Sequence, residues 1–131
     1  MKGLRLGLRG AGKWGANIER TLRTLEGVSV HILARGEILG DLDGVLIATP
    51  SGSHAAVALP FIEKGIPTFI EKPMTTSVAD AEVIRDAAKR SGALVFVGHI
   101  YLYNPAFLKT LELLPLIGGI TKVEIVSTSD A

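Results

Sequence analysis

Apolar and polar residues alternate at the start of the chain and then recur at helical spacing. Leucine occupies every second position of residues 4–8, which predicts a short strand running directly into a glycine-rich segment. Residues 14–25 carry apolar side chains every three or four positions and predict a helix, which Gly27 is placed to end. The chain therefore begins with a strand, a glycine turn and a helix.

The rest of the chain repeats this alternation of strands and helices. Four further strands are predicted at residues 28–33, 45–48, 68–71 and 94–97. Helices are predicted at residues 53–64, with Pro60 causing a kink or a late start, at 77–91, capped by Ser77, and from about 105 to 114. Residues 122–127 (KVEIVS) alternate like an edge strand. This order predicts an α/β fold of the Rossmann-like, doubly wound type, with a mostly parallel sheet.

The connection between the second and third strands is short for a parallel crossover. Nine residues separate Arg35 from Val45, whereas a crossover through a helix takes about a dozen or more. Nine extended residues reach roughly 30 Å, which is enough to pass from one side of the first strand to the other. We therefore expect a sheet shortened by one crossover helix and one strand.

Composition narrows the class of protein. The 131 residues are 47% hydrophobic, and 14 basic against 13 acidic residues give a net charge of +1. Without a basic stripe interleaved with aromatic residues, nucleic acid and anionic membrane are poor partners. The absence of cysteine excludes disulfides and thiolate metal sites. No apolar run approaches the ~20 residues of a membrane helix and no signal peptide is evident, so a cytoplasmic protein is expected.

The glycine-rich segment, residues 10–15 (GAGKWG), is typical of a dinucleotide-binding turn. Gly10 can make the tight turn, Gly12 can let the backbone approach a pyrophosphate, and Gly15 can let helix and strand pack closely. Lys13 and Trp14 lie inside the motif and are candidate cofactor contacts. The helix amino terminus favours the phosphates. The simpler interpretation is a plain tight turn without a ligand.

The residue that follows the second strand bears on the choice of cofactor. In an NAD site an acidic residue about 20 positions after the glycine turn holds the adenosine ribose. Arg35 occupies that place here, which favours a 2′-phosphate and hence NADP over NAD. The alternative is a solvated loop arginine beside Glu37.

Candidate chemistry also follows the third, fourth and fifth strands, whose carboxyl ends meet at the edge where open α/β sheets bind ligands. Thr49, Pro50 and His54 should flank the nicotinamide half, although such a histidine is more often a surface residue of a first helical turn. The other candidates are Glu71, which can accept from ribose hydroxyls, Lys72, which can hold or relay the proton of a reacting hydroxyl, and His99, which is equally suited to a buried structural role.

Four motifs in order make the chain resemble the Gfo/Idh/MocA NAD(P)-dependent oxidoreductases. They are GAGKWG, IATPSGSH after the third strand, EKP after the fourth, and VGHIYLYNPA at residues 97–106. The family acts mostly on sugars and related polyols. The resemblance implies that Lys72 binds and helps catalyse at the reacting carbon and that Glu71 lies by the nicotinamide ribose.

The resemblance also implies a division of the chain. Residues 1–120 match the dinucleotide-binding domain, and residues 121–131 resemble only the first strand of the second domain, which carries further catalytic residues and most sugar contacts. Two functions follow as expectations. One is hydride transfer between NAD(P) and a sugar-like substrate. The other is an inactive nucleotide-binding or interaction module, a homodimer through its final strand.

Overall fold

The computed structural model describes residues 3–126 and divides into two compact units, which meet in sequence between His99 and Ile100. In the first unit, five strands form one sheet: β1 (Leu4–Arg9), β2 (Val28–Ile32), β3 (Gly44–Ile47), β4 (Thr68–Ile70) and β5 (Val95–Val97). Three helices connect them: α1 (Lys13–Leu22), α2 (His54–Ile62) and α3 (Val78–Ser91). The predicted α/β class is confirmed.

The strand order β2-β1-β3-β4-β5 is that of a parallel, doubly wound sheet. β1 lies between β2 and β3, with Leu6 paired to Val30 on one side and Gly44 on the other. Residues 33–43 connect β2 to β3 without a helix or a strand. The shortened crossover predicted from the sequence is therefore confirmed, and it carries the chain past β1 to the other half of the sheet.

The core lies between one face of the sheet and helices α2 and α3. Apolar residues of β3 and β4 pack there against apolar residues of both helices, and the largest fully buried ones are Val45, Ile47, Phe61, Ile62, Ile70 and Ile84. Full burial of each large apolar side chain contributes about 1.5–3 kcal/mol. This packing fixes the carboxyl ends of β3 and β4, from which the candidate site projects.

The helix boundaries follow the local signals closely. Ser77 caps α3, since its Oγ accepts from the N–H of Asp80 at 3.1 Å, and Gly92 ends the helix with φ +73°. α1 ends at Leu22, earlier than predicted, and a turn leads to Gly27. α2 begins at His54, after a turn of 3₁₀ helix, and continues past Pro60.

The second unit contains helix α4 (Pro105–Leu113). The Asn104 side chain caps it by accepting from the N–H groups of Ala106 and Phe107. The prediction of a strand at residues 122–127 is wrong for the part that the structure describes: residues 122–126 form no strand, and Ser127 lies outside the described residues. Alternation is not sufficient for a strand, because its backbone groups need a paired neighbour. The homodimer and the domain boundary at 120 stay predictions.

Within residues 3–126, no helix has the length and apolar character that crossing a membrane requires.

Candidate functional site

The glycine turn packs tightly on one side and is open on the other. Gly10 has φ +108°, and a Cβ on Gly15 would overlap the carbonyl oxygen of Gly10, so both positions require glycine. At Gly12, the N-cap of α1, a Cβ would have no atom within 4 Å apart from its own chain neighbours. No side chain caps this helix end and no acidic residue lies in its first turn. The N–H groups there are therefore available to an anion.

A cleft of about 430 Å³ lies beside this turn, between the β2–β3 connection and helix α2. Four of the residues predicted for the site line it: Gly10, Arg35, Thr49 and Pro50. The remaining lining residues are mostly apolar, and Arg35 is exposed. We call this space the arginine cleft. Its lining suits a flat apolar group that carries a polar or anionic substituent.

A second cleft, of about 340 Å³, lies along the carboxyl edge towards β4. Five predicted site residues line it: Trp14, Thr49, His54, Glu71 and Lys72. We call it the lysine cleft. Thr49 lines both clefts, so the sheet edge offers adjoining places for the two halves of one ligand.

Glu71 and Lys72 differ sharply in their exposure to solvent. Glu71 is only 7% exposed, and its carboxylate accepts from the backbone N–H of Lys72 at 3.1 Å. The Lys72 side chain is exposed. The arrangement presents an ammonium group to the lysine cleft while holding a carboxylate against the sheet.

His54 is buried rather than at the surface, with 1% of its area exposed. Nε2 lies 2.7 Å from the carbonyl oxygen of Thr49, and Nδ1 lies 2.8 Å from that of Pro73. The imidazole therefore joins the segment after β3 to the segment after β4. The alternative of a solvated surface histidine is wrong, because the sheet brings both carbonyl groups to the same side chain.

Replacing His54 by alanine is expected to lower the free energy of unfolding by about 2–4 kcal/mol, since it removes a buried ring and its hydrogen bonding to the segments after β3 and β4. His99 provides the matched control: it is exposed, so alanine there should change stability by less than about 0.5 kcal/mol. Urea unfolding of the two variants measures the difference. Equal effects would contradict the role of His54 as the link between the two segments.

Besides Gly12 and Gly15 of the turn, two predicted site residues with side chains lie apart from both clefts. Within residues 3–126, neither Lys13 nor His99 lines the arginine cleft or the lysine cleft. Both side chains are exposed, and the backbone N–H of His99 donates to the carbonyl of Val97 at 2.7 Å. Their contacts with a cofactor stay predictions.

Sequence reasoning missed Arg9, the last residue of β1. Arg9 is 7% exposed and lines the arginine cleft, where its guanidinium donates to the carbonyl groups of Ala34 and Glu37 and lies 5.9 Å from the centre of the Phe61 ring. Its Nε has no hydrogen-bond partner among the described residues. Burial lowers the pKa of Arg9 below its ordinary value, and the Glu37 charge acts in the opposite direction.

A signal for Arg9 was present in the sequence. It follows Leu8 directly and precedes the glycine turn, so it belongs to a central strand of the predicted parallel sheet. Such strands are covered on both faces, and a charged residue within one is unusual. The alternation of apolar and polar residues in this strand, taken alone, predicts that Arg9 faces solvent.

Comparisons with known proteins place these features in context. A family model described as "Oxidoreductase family, NAD-binding Rossmann fold" (GFO_IDH_MocA) matches residues 7–99. Among curated proteins, an oxidoreductase of Formosa agariphila is 38% identical over 86 residues, which cover 64% of this chain and 27% of that protein. Inositol 2-dehydrogenase of Mycolicibacterium smegmatis is 30% identical over 139 aligned residues, covering 85% of this chain and 40% of the relative.

Solved structures share the fold. A Gfo/Idh/MocA family oxidoreductase from Vibrio cholerae superposes with a TM-score of 0.76 at 20% identity, covering 87% of this chain and 44% of that one. At this identity the likeness concerns the fold alone. The chain spans less than half the length of each of these three relatives.

Proposed function

Because the chain belongs to the Gfo/Idh/MocA oxidoreductase family with its NAD-binding Rossmann fold, we propose that it binds a nicotinamide dinucleotide across the two clefts and acts in hydride transfer with a sugar-like substrate. The observation that carries this proposal is the sharing of Thr49 by both clefts. A dinucleotide has two halves joined by a pyrophosphate, and the open helix end at Gly12 suits that pyrophosphate. The residues present therefore fit the cofactor.

In this proposal each cleft takes one half of the cofactor. The arginine cleft holds the adenosine half, and the lysine cleft holds the nicotinamide half, with Glu71 beside its ribose. When bound, the nicotinamide supplies the acceptor or donor of a hydride. The lysine cleft is the only one of the two with an ammonium group at its surface, so the reacting oxygen of the substrate is placed there.

Lys72 has the central chemical role in the proposal. As the free amine, its Nζ accepts the proton of the reacting hydroxyl while the adjoining carbon loses a hydride, and it then releases that proton to solvent. In the reverse direction the same group returns a proton to the carbonyl oxygen. His54 positions this segment through the carbonyl of Pro73 and does not itself meet the substrate. Inositol 2-dehydrogenase among the relatives supports a polyol or sugar as substrate.

The first test is calorimetric titration of the chain, freed of carried-over nucleotide, with NADP and with NAD. Micromolar binding of either is expected. Absence of binding by both would contradict the proposal. Binding without turnover of any polyol or aldose would instead favour the inactive nucleotide-binding module that the sequence also allows.

Arg35 is expected to make the site prefer NADP. Arg35→Ala should weaken NADP binding about tenfold or more, because a charge-assisted hydrogen bond contributes about 1.5–3 kcal/mol. NAD binding should change little, since NAD lacks the 2′-phosphate. Arg20→Ala is the matched control, as Arg20 is an exposed arginine that does not line the arginine cleft. An equal loss for NAD and NADP would show that Arg35 does not read the phosphate.

A further inference from the structure

The turn that carries Arg35 is closed at both ends. The N–H of Glu37 donates to the carbonyl of Ala34 at 3.0 Å, and the carboxylate of Glu37 accepts from the N–H of Ala34 at 2.7 Å. Gly36 has φ +81°, which lets the chain reverse. Residues 34–37 therefore form a small, internally bonded loop.

The Arg9 side chain binds this loop through its guanidinium group. Its Nη1 donates to the carbonyl of Ala34 and its Nη2 donates to that of Glu37, so one planar guanidinium grips the residues on both sides of Arg35 and Gly36. A lysine cannot bind two acceptors in this forked geometry. The position of the Arg35 backbone therefore depends on Arg9.

The charge of Arg9 is buried, and the described residues form no ion pair with it. The Glu37 carboxylate acts on this charge without forming an ion pair, and it accepts a hydrogen bond from the N–H of Ala34. The arginine cleft is lined by two arginines and, among the described residues, by no carboxylate. A charge that is shielded from water acts more strongly on its surroundings than one at the surface. The cleft therefore favours a ligand with a negative group.

We propose that Arg9 is a specificity-determining residue of the arginine cleft, where its buried cation and its grip on the Arg35 turn select a dinucleotide that carries a phosphate on the adenosine ribose. The inference rests on the proposed function, in which this cleft holds the adenosine half of the cofactor. Arg35 meets the phosphate, and Arg9 acts through position and charge.

Two small probes separate the phosphate from the rest of the cofactor: adenosine 2′,5′-bisphosphate and adenosine 5′-monophosphate. Calorimetry compares their affinities in the unmodified chain, in Arg9→Met, in Arg9→Lys and in the control Arg20→Met. The unmodified chain should prefer the bisphosphate. Arg9→Met should weaken the bisphosphate about tenfold or more and leave the monophosphate nearly unchanged. Arg9→Lys should restore part of the preference, because the charge returns without the forked contact.

The remaining outcomes overturn the proposal in distinguishable ways. If Arg9→Met lowers the affinity for both probes equally, Arg9 is a structural residue that only shapes the cleft. If it lowers the affinity for neither probe, Arg9 takes no part in recognising the ligand. If neither probe binds the unmodified chain, the proposed function fails at this cleft and the inference falls with it. Circular dichroism checks that each variant folds. Arg9→Gln, which keeps a hydrogen-bonding side chain without the charge, carries the same test if Arg9→Met does not fold.

Discussion

Lys72→Met is expected to lower kcat for polyol oxidation about 100-fold or more, the usual contribution of a positioned acid–base group. Methionine keeps the length and much of the apolar stem of lysine but can neither hydrogen-bond the reacting oxygen nor accept its proton. Lys72 is exposed in the lysine cleft, so its loss should leave the fold intact. Nicotinamide absorbance at saturating NADP, with inositol and a panel of aldoses, measures the rate.

Lys64 is the matched control for this experiment. It is also exposed, but it lies between α2 and β4, at the opposite edge of the sheet from Lys72. Lys64→Met should leave kcat unchanged, and the dissociation constant for NADP should be nearly the same in both variants. Retention of full kcat by Lys72→Met would show that another group handles the proton.

Two alanine substitutions in the glycine turn are expected to impair different properties: Gly15→Ala lowers stability, and Gly12→Ala weakens cofactor binding. Gly15→Ala places a Cβ on the carbonyl oxygen of Gly10, so it should lower the free energy of unfolding by about 1–3 kcal/mol or more. Gly12→Ala meets no neighbouring atom within 4 Å and should fold normally. It should nevertheless weaken NADP binding at least about tenfold, a loss of about 1.4 kcal/mol, because its methyl group occupies the approach of the pyrophosphate.

Urea unfolding and calorimetry on the same preparations separate the two effects. Gly52→Ala is the control, since a Cβ there also meets nothing within 4 Å and Gly52 lines neither cleft. It should alter neither stability nor NADP binding appreciably. Normal NADP affinity in Gly12→Ala would place the pyrophosphate elsewhere and leave the turn a purely structural device.

Much of the fold could be predicted from the sequence because its signals are local. The Ser77 cap and Gly92 stop of α3 depend on residues within one helix, and both appear as predicted. The β2–β3 connection could be recognised from its length, because nine residues are too few for a helical crossover but enough to pass β1, as the strand order shows. Local signals were not sufficient for the last predicted strand, at residues 122–127. Its alternation is local, but a strand also needs a partner, and residues 122–126 form none with the described chain.

The same distinction between local signals and long-range contacts applies to the candidate site. The sequence by itself determined the glycine turn and placed Thr49 and Lys72 at the ends of strands, since motif spacing and strand direction suffice for that. Only the tertiary structure decided that His54 is buried between two carbonyl groups and that Arg9 reaches beneath the Arg35 turn. Burial and long-range hydrogen bonds depend on which segments the sheet brings together, and neighbouring residues in the chain do not specify that.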